Sequence, residues 1–172
     1  MTDDRGTSGD FQAFSATCAG QCLAAAEEAL VRRALAVWPE QGPTLLEINC
    51  GAGLLQRPLR AMGFDVTGCE GSPALREAFA RSLGIRHVAD PAVCDLLPYG
   101  DGSFDWALLH LERGASSEQV EKALAEAGRT ALRGLAVLFW NRLSLAGLTS
   151  GSLPLLPLSS WSLQRRLASL AV

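Results

Sequence analysis

The sequence is short of what several protein classes require. It has no cluster of Lys and Arg: the basic residues occur singly or as the pairs Arg32-Arg33 and Arg165-Arg166, and the net charge is -3. A nucleic-acid binder would show a basic patch, so no nucleic-acid partner is expected, and both pairs read as solvated helix faces. No stretch approaches the ~18 apolar residues of a membrane span, so no membrane association is expected. Met1 to Asp10 is polar and acidic and lacks the apolar centre of a secretory signal. With two histidines and five cysteines (Cys18, Cys22, Cys50, Cys69, Cys94), zinc-like spacing is also missing. The cysteines are therefore read as reduced thiols of a soluble cytoplasmic protein. Cys18 and Cys22, four apart, are taken as buried small side chains rather than metal ligands.

What remains is the composition of an ordinary globular protein. Hydrophobic residues make up 48% and charged residues 19% of 172 residues, enough chain for one domain and one core. No repeat and no second domain is visible, so residues 1–172 are read as a single domain with a flexible start over 1–15.

The pattern alternates strands with helices. Ala16 to Val37 is Ala- and Leu-rich and predicts a helix ending before Trp38-Pro39. Thr44 to Ile48 predicts a first strand, Asn49 to Gly53 a tight turn, and Leu54 to Met62 a helix stopped by Gly63. Phe64 to Glu70 predicts a second strand. Ser72 and Pro73 then supply an N-cap and a first-turn proline for a helix through Arg81 or Ser82. Ile85 to Ala89 reads as a third strand and Ser103 to Leu109 as a fourth. Ser116 with Gln119 forms a capping box for a helix to about Gly128, and Leu135 to Trp140 is the fifth strand. Residues 144–172 read as a loop and a terminal helix. Parallel strands need such crossover helices, so the expected architecture is an α/β doubly wound, mainly parallel sheet in three α/β/α layers.

In such sheets ligands bind beyond the carboxyl ends of the strands, where strand order reverses. The loop after the first strand is that place. Gly51 and Gly53 let backbone approach a ligand, although glycines there can also serve only tight strand-to-helix packing. Glu47 and Glu70 each lie near the end of a strand. The second can accept the hydroxyls of a ribose, and the first can face a cationic or amino group. This suits an adenosine with a charged tail. A dinucleotide fingerprint would want glycine where Leu54 stands, which counts against NAD.

Taken together these residues resemble the class I S-adenosylmethionine-dependent methyltransferases, in particular the type 11 branch that includes ubiquinone-biosynthesis-like enzymes. Leu46 to Gly53 is similar to the first motif, Val66 to Pro73 to the second, and Leu97 to Asp105 to the fourth-strand signature. Leu109 to Glu112, Ala125 to Arg129 and Phe139 to Asn141 resemble later landmarks. The resemblance implies a Rossmann-like fold, S-adenosyl-L-methionine as cofactor and a small-molecule methyl acceptor. It also implies that Glu47, Asn49, Cys50, Gly51 and Gly53 surround the methionine part, while Glu70 and Gly71 lie at the ribose. Asp95 is the acid expected near adenine, with a solvated loop acid as the competing reading. Asn49 replaces the motif's first glycine. It tolerates positive φ, but its side chain would stand near the cofactor.

Methyl transfer needs a general base only for a poorly ionised nucleophile. His110, just past the fourth strand, is the candidate; a satisfied structural histidine is the competing reading. Asp105 is expected to have a structural hydrogen-bonding role and Trp106 to pack in the core, while Tyr99 could stack on adenine. The family usually adds two strands after the fifth, and the thirty or so residues after Asn141 leave no room for them. The fifth strand would then be an apolar edge, covered by Leu153 to Val172 or by a second copy in a homodimer. A protein that keeps the fold and binds the cofactor without turnover is the alternative reading.

Overall fold

The structure is a computed structural model that describes residues 16–37, 44–83, 90, 93–111 and 115–139. Its elements follow in the order α1 (Cys18–Leu35), β1 (Thr44–Ile48), α2 (Gln56–Ala61), β2 (Asp65–Cys69), α3 (Pro73–Leu83), β3 (Phe104–His110), α4 (Ser117–Thr130) and β4 (Ala131–Leu138). The expected third strand and the segment after Trp140 lie outside the described residues.

The four strands form one sheet in the order β2-β1-β3-β4, and every pair is parallel. Beyond β2, Asp90 bridges to Cys69 in parallel, held by hydrogen bonds from Glu70 N to Asp90 O (3.0 Å) and from Asp90 N to Gly68 O (2.9 Å). The chain leaves β1 for β2 on one side and returns to β3 on the other. The order therefore reverses between β1 and β3.

Alternation along the buried strands sorts side chains onto two faces. Leu46, Ile48, Ala107 and Leu109 face α4, whose Val120, Ala123, Leu124 and Ala127 complete one core. Leu45, Trp106 and Leu108 face the other way, against Val31 and Leu35 of α1, Leu55 at the N-cap of α2 and Leu59 within it. Two cores on opposite faces of one sheet make the three layers that the alternating pattern predicts.

The helix starts are set by local chemistry. Thr17 caps α1 by accepting from Gly20 N (3.0 Å). In the capping box of α4, Ser116 Oγ accepts from Gln119 N (3.2 Å) and Gln119 Oε1 from Ser116 N (2.8 Å). Such caps contribute about 1 kcal/mol each by satisfying amides with no partner inside the helix.

Two expectations are corrected. Cys18 and Cys22 are exposed, because α1 turns Val31 and Leu35 inward and leaves most of its N-terminal half in solvent. The last strand begins at Ala131 rather than Leu135, and α4 runs on past Gly128 to Thr130. The Thr130 hydroxyl donates back to Glu126 O or Ala127 O, each 3.1 Å away, so the final turn closes on itself and the chain passes straight into β4.

Asp105 is a brace at the start of β3. Its Oδ2 accepts from Thr44 N and Thr44 Oγ1, both at 3.1 Å, and its Oδ1 pairs with Arg133 Nε at 2.9 Å. It ties together β1, β3 and β4, as its expected structural role requires. Trp106 is buried and lies over Gly134, where an added Cβ would stand 2.7 Å from the ring. Core packing is thus its role.

Candidate functional site

At the carboxyl ends of the strands a cavity of about 560 Å³ opens at the reversal between β1 and β3. That is within the usual range for small-molecule sites. Six sequence-selected residues line it: Asn49, Gly51, Glu70, Gly71, Asp95 and His110. The other three, Glu47, Cys50 and Gly53, stand behind its wall.

The loop after β1 has the backbone that its sequence predicts. Asn49, Gly51 and Gly53 all take positive φ (56°, 56° and 75°), and Asn49 is the non-glycine residue among the described ones that does so. The two glycines serve different ends. A Cβ at Gly51 would meet nothing within 4 Å, because the cavity lies in front of it. A Cβ at Gly53 would stand 2.6 Å from Phe79 Cδ2, so that glycine lets α3 pack against the loop. The Asn49 side chain donates from Nδ2 to His110 O (2.9 Å), joining the ends of β1 and β3.

Glu70 is 4% exposed, and its carboxylate is aimed by the backbone: Oε2 accepts from Gly51 N and Oε1 from Ser72 N, both at 2.9 Å. An ionised carboxylate has about four acceptor sites, so roughly two remain for a ligand's hydroxyls. Arg76 holds the loop beneath it, donating from Nη1 to Glu70 O (2.8 Å) and Gly71 O (2.9 Å). On the opposite wall, Asp95 belongs to a segment fixed to α4. Glu126 Oε2 accepts from Leu97 N (3.0 Å), and Arg129 donates to Tyr99 O (2.8 Å). Arg129 also holds the Glu126 carboxyl below the usual carboxylate range.

Glu47 is 1% exposed on the α1/α2 side of the sheet. One oxygen accepts from Gln56 Nε2, and the other lies 3.1 Å from His110 Nε2. A carboxylate only accepts, so the nitrogen that faces it carries the proton and Nδ1 is left as the ring's acceptor. His110 is 26% exposed and reaches the cavity. Tyr99 does not line the cavity. Its hydroxyl donates to Asp90 Oδ2 (2.6 Å), its ring meets Phe104 edge-on, and burial together with the Asp90 bond pushes its pKa up. Cys50 and Cys69 are buried thiols, raised first by desolvation, Cys69 to about 12.

Sequence reasoning missed Gln56, which reads as an ordinary helix residue nine positions after Glu47, and Gln119, which lines the cavity as well as capping α4. Only the packing of α2 against β1 reveals the first. His87, in the expected third strand, lies outside the described residues.

The cavity fits an adenosine with an amino-acid tail: a carboxylate with free acceptor sites, an open glycine backbone and a second acid on the far wall. The comparisons with known proteins agree. The family described as "Methyltransferase domain" matches residues 46–138. The ubiquinone biosynthesis O-methyltransferase of Caulobacter vibrioides is 40% identical over 76 residues, a match that covers 41% of this chain and 29% of that protein. Among solved structures, an S-adenosylmethionine-dependent methyltransferase from Archaeoglobus fulgidus superposes with a TM-score of 0.69 at 15% identity, over 86% of this chain and 68% of that one. The geranyl diphosphate C-methyltransferase of Streptomyces coelicolor, solved with S-adenosyl-L-homocysteine, superposes with a TM-score of 0.61 at 15% identity, over 84% and 56%. These two likenesses bear on the fold, while the family match covers more than half of the sequence. The chain belongs to the methyltransferase-domain family, Rossmann-like proteins whose cofactor is S-adenosylmethionine.

Proposed function

We propose that the protein is an S-adenosylmethionine-dependent methyltransferase that acts on a small molecule. The observation that carries this reading is the Glu70 carboxylate, oriented by the Gly51 and Ser72 amides and lining one cavity beside the open backbone of Gly51. Glu70 would hold the ribose hydroxyls, Gly51 and Gly71 would admit the cofactor close to the backbone, and Asp95 would lie near adenine. Glu47, Cys50 and Gly53 support the loop from behind, and Asn49 locks it to β3.

S-adenosylmethionine, held by Glu70 and the backbone at Gly51 and Gly71, would supply an electrophilic sulfonium methyl to the acceptor. The chain positions the reactants and, at His110 Nδ1, takes the acceptor's proton. Glu47 fixes the tautomer that leaves this nitrogen free and stabilises the imidazolium that forms. Isothermal titration with S-adenosylhomocysteine tests the reading. Micromolar binding that is lost in Glu70→Ala is expected, and no binding to the intact chain would overturn it. Binding without methyl transfer to any of a panel of small acceptors would favour the alternative of a cofactor-binding protein without turnover.

We also propose that the outer edge of β4, the last strand in the order among the described residues, is covered by Leu153 to Val172 or pairs with a second copy, since an apolar strand edge is rarely left bare. Light scattering across a dilution series tests this, and a monomer with the edge open to exchange would refute it.

A further inference from the structure

His110 borders two cavities. Besides the one described above, a second cavity of about 240 Å³ lies on the α1 side of the sheet. Leu23, Ala26 and Leu30 of α1 form one wall, and Leu111, Leu138 and Phe139 at the ends of β3 and β4 form the other. Along β3, Trp106, Leu108 and His110 share a face, so the imidazole emerges at the strand end with the α1 layer on one side and the cofactor cavity on the other. Leu30 is 61% exposed at this place, a large apolar side chain left in solvent next to a hollow. Glu27 is the charged residue on the wall, and among the described lining residues there is no Lys or Arg.

We infer that this second cavity is the acceptor pocket, and that it takes a compact apolar alcohol or phenol and rejects carboxylates and phosphates. The inference rests on the methyltransferase reading, and it deepens it by naming the acceptor's chemistry. An apolar wall rewards a hydrocarbon body through burial. Buried Glu47, just behind His110, would set a carboxylate close to any anion that enters and so disfavour it. A hydroxyl is poorly ionised near neutral pH and gains from a base, and among the described lining residues His110 is the polar ring that reaches both cavities. In the balanced step, the hydroxyl oxygen bonds to the methyl carbon, the C–S pair stays on sulfur and the hydroxyl proton passes to His110.

The test uses the full chain with 2-naphthol as probe, 2-naphthoate as its anionic counterpart, and S-adenosylhomocysteine titrated separately. There are two histidines in the sequence, His87 and His110, so their ring resonances are readily distinguished with a His110→Gln sample. The expected result is that 2-naphthol moves the His110 ring signals and leaves those of His87 in place. Ala26 is exposed and lines the second cavity but not the first, so Ala26→Phe fills the second. This variant should weaken 2-naphthol at least ~10-fold while S-adenosylhomocysteine affinity stays within ~2-fold, and 2-naphthoate should bind at least ~10-fold more weakly than 2-naphthol. Unshifted His110 signals, unchanged naphthol affinity in Ala26→Phe, or equal affinity for the carboxylate would overturn the inference. Failure of S-adenosylhomocysteine to bind would instead overturn the methyltransferase reading, and the two results are read independently.

Discussion

Glu47 and His110 stand on neighbouring parallel strands with Oε1 and Nε2 3.1 Å apart, one side chain sealed in the core and the other open to the cavity. The pair puts a buried acceptor behind an exposed ring, so the ring's tautomer is set from inside the protein. Gln56 occupies the second oxygen, which keeps the carboxylate from turning away.

His110→Gln should lower kcat by about 100-fold or more with any acceptor that supports turnover, the usual scale for loss of a positioned base. S-adenosylhomocysteine affinity should be retained, as calorimetry would show. Glu47→Gln should lower kcat with acceptor KM unchanged, since it acts through His110; a rise in KM alone would assign the pair to binding.

Gly51→Ala and Gly53→Ala should separate cleanly. Both acquire a Cβ at positive φ, which costs about 1–2 kcal/mol. At Gly53 the methyl also collides with Phe79, adding roughly 1–3 kcal/mol of overpacking. Urea denaturation should therefore show Gly53→Ala as clearly the less stable, whereas Gly51→Ala should stay folded and lose S-adenosylhomocysteine affinity by at least ~10-fold, the scale of about 1.4 kcal/mol.

The glycines also show how far the sequence can be read. That both would adopt positive φ follows from their place between a strand and a helix. Which one faces ligand depends on Phe79, 26 positions on, and no local pattern encodes that contact. β1 was legible to the residue, because Thr44 to Ile48 is a short apolar run between a Gly-Pro break and a glycine turn. The α4 to β4 passage differs from the sequence reading because Gly128 looks like a helix stop; it is exposed in the helix's last turn with nothing packed against it, and the helix continues through it to Thr130. Of the site, the acids and the loop were visible, but the Gln56 and Asn49 contacts, made 9 and 61 positions away, were not.

Asn49→Ala should destabilise the protein by about 1–3 kcal/mol, since it loses the bond to His110 O and places alanine at φ 56°. Asn49→Gly loses the same bond but relaxes the backbone, and should cost less than ~1 kcal/mol. The two urea midpoints check this, and the reverse order would mean that the side-chain bond contributes little.

Stability should fall above about pH 9. Cys50 and Cys69 have pKa values raised by burial from the ordinary value of 9.0, so the unfolded chain releases thiol protons that the native state keeps. Their contribution is intact below pH 9 and declines as pH rises toward about 12, by up to ~1.4 kcal/mol per pH unit for each thiol. Denaturation at pH 8 and pH 10 should show the loss, and it should shrink in Cys50→Ala/Cys69→Ala. At pH 8 a maleimide should label Cys18 and Cys22 and spare these two.

α4 ends at Thr130 and β4 begins at Ala131, with no connecting loop. A residue added or removed there would turn α4 by about 100° relative to the strand, or slip β4 so that Leu135 and Val137 exchange faces with Gly134 and Ala136. Length changes in homologues of this chain should accordingly collect in the connections after α3 or after β3, leaving the helix-to-strand seam at a constant length.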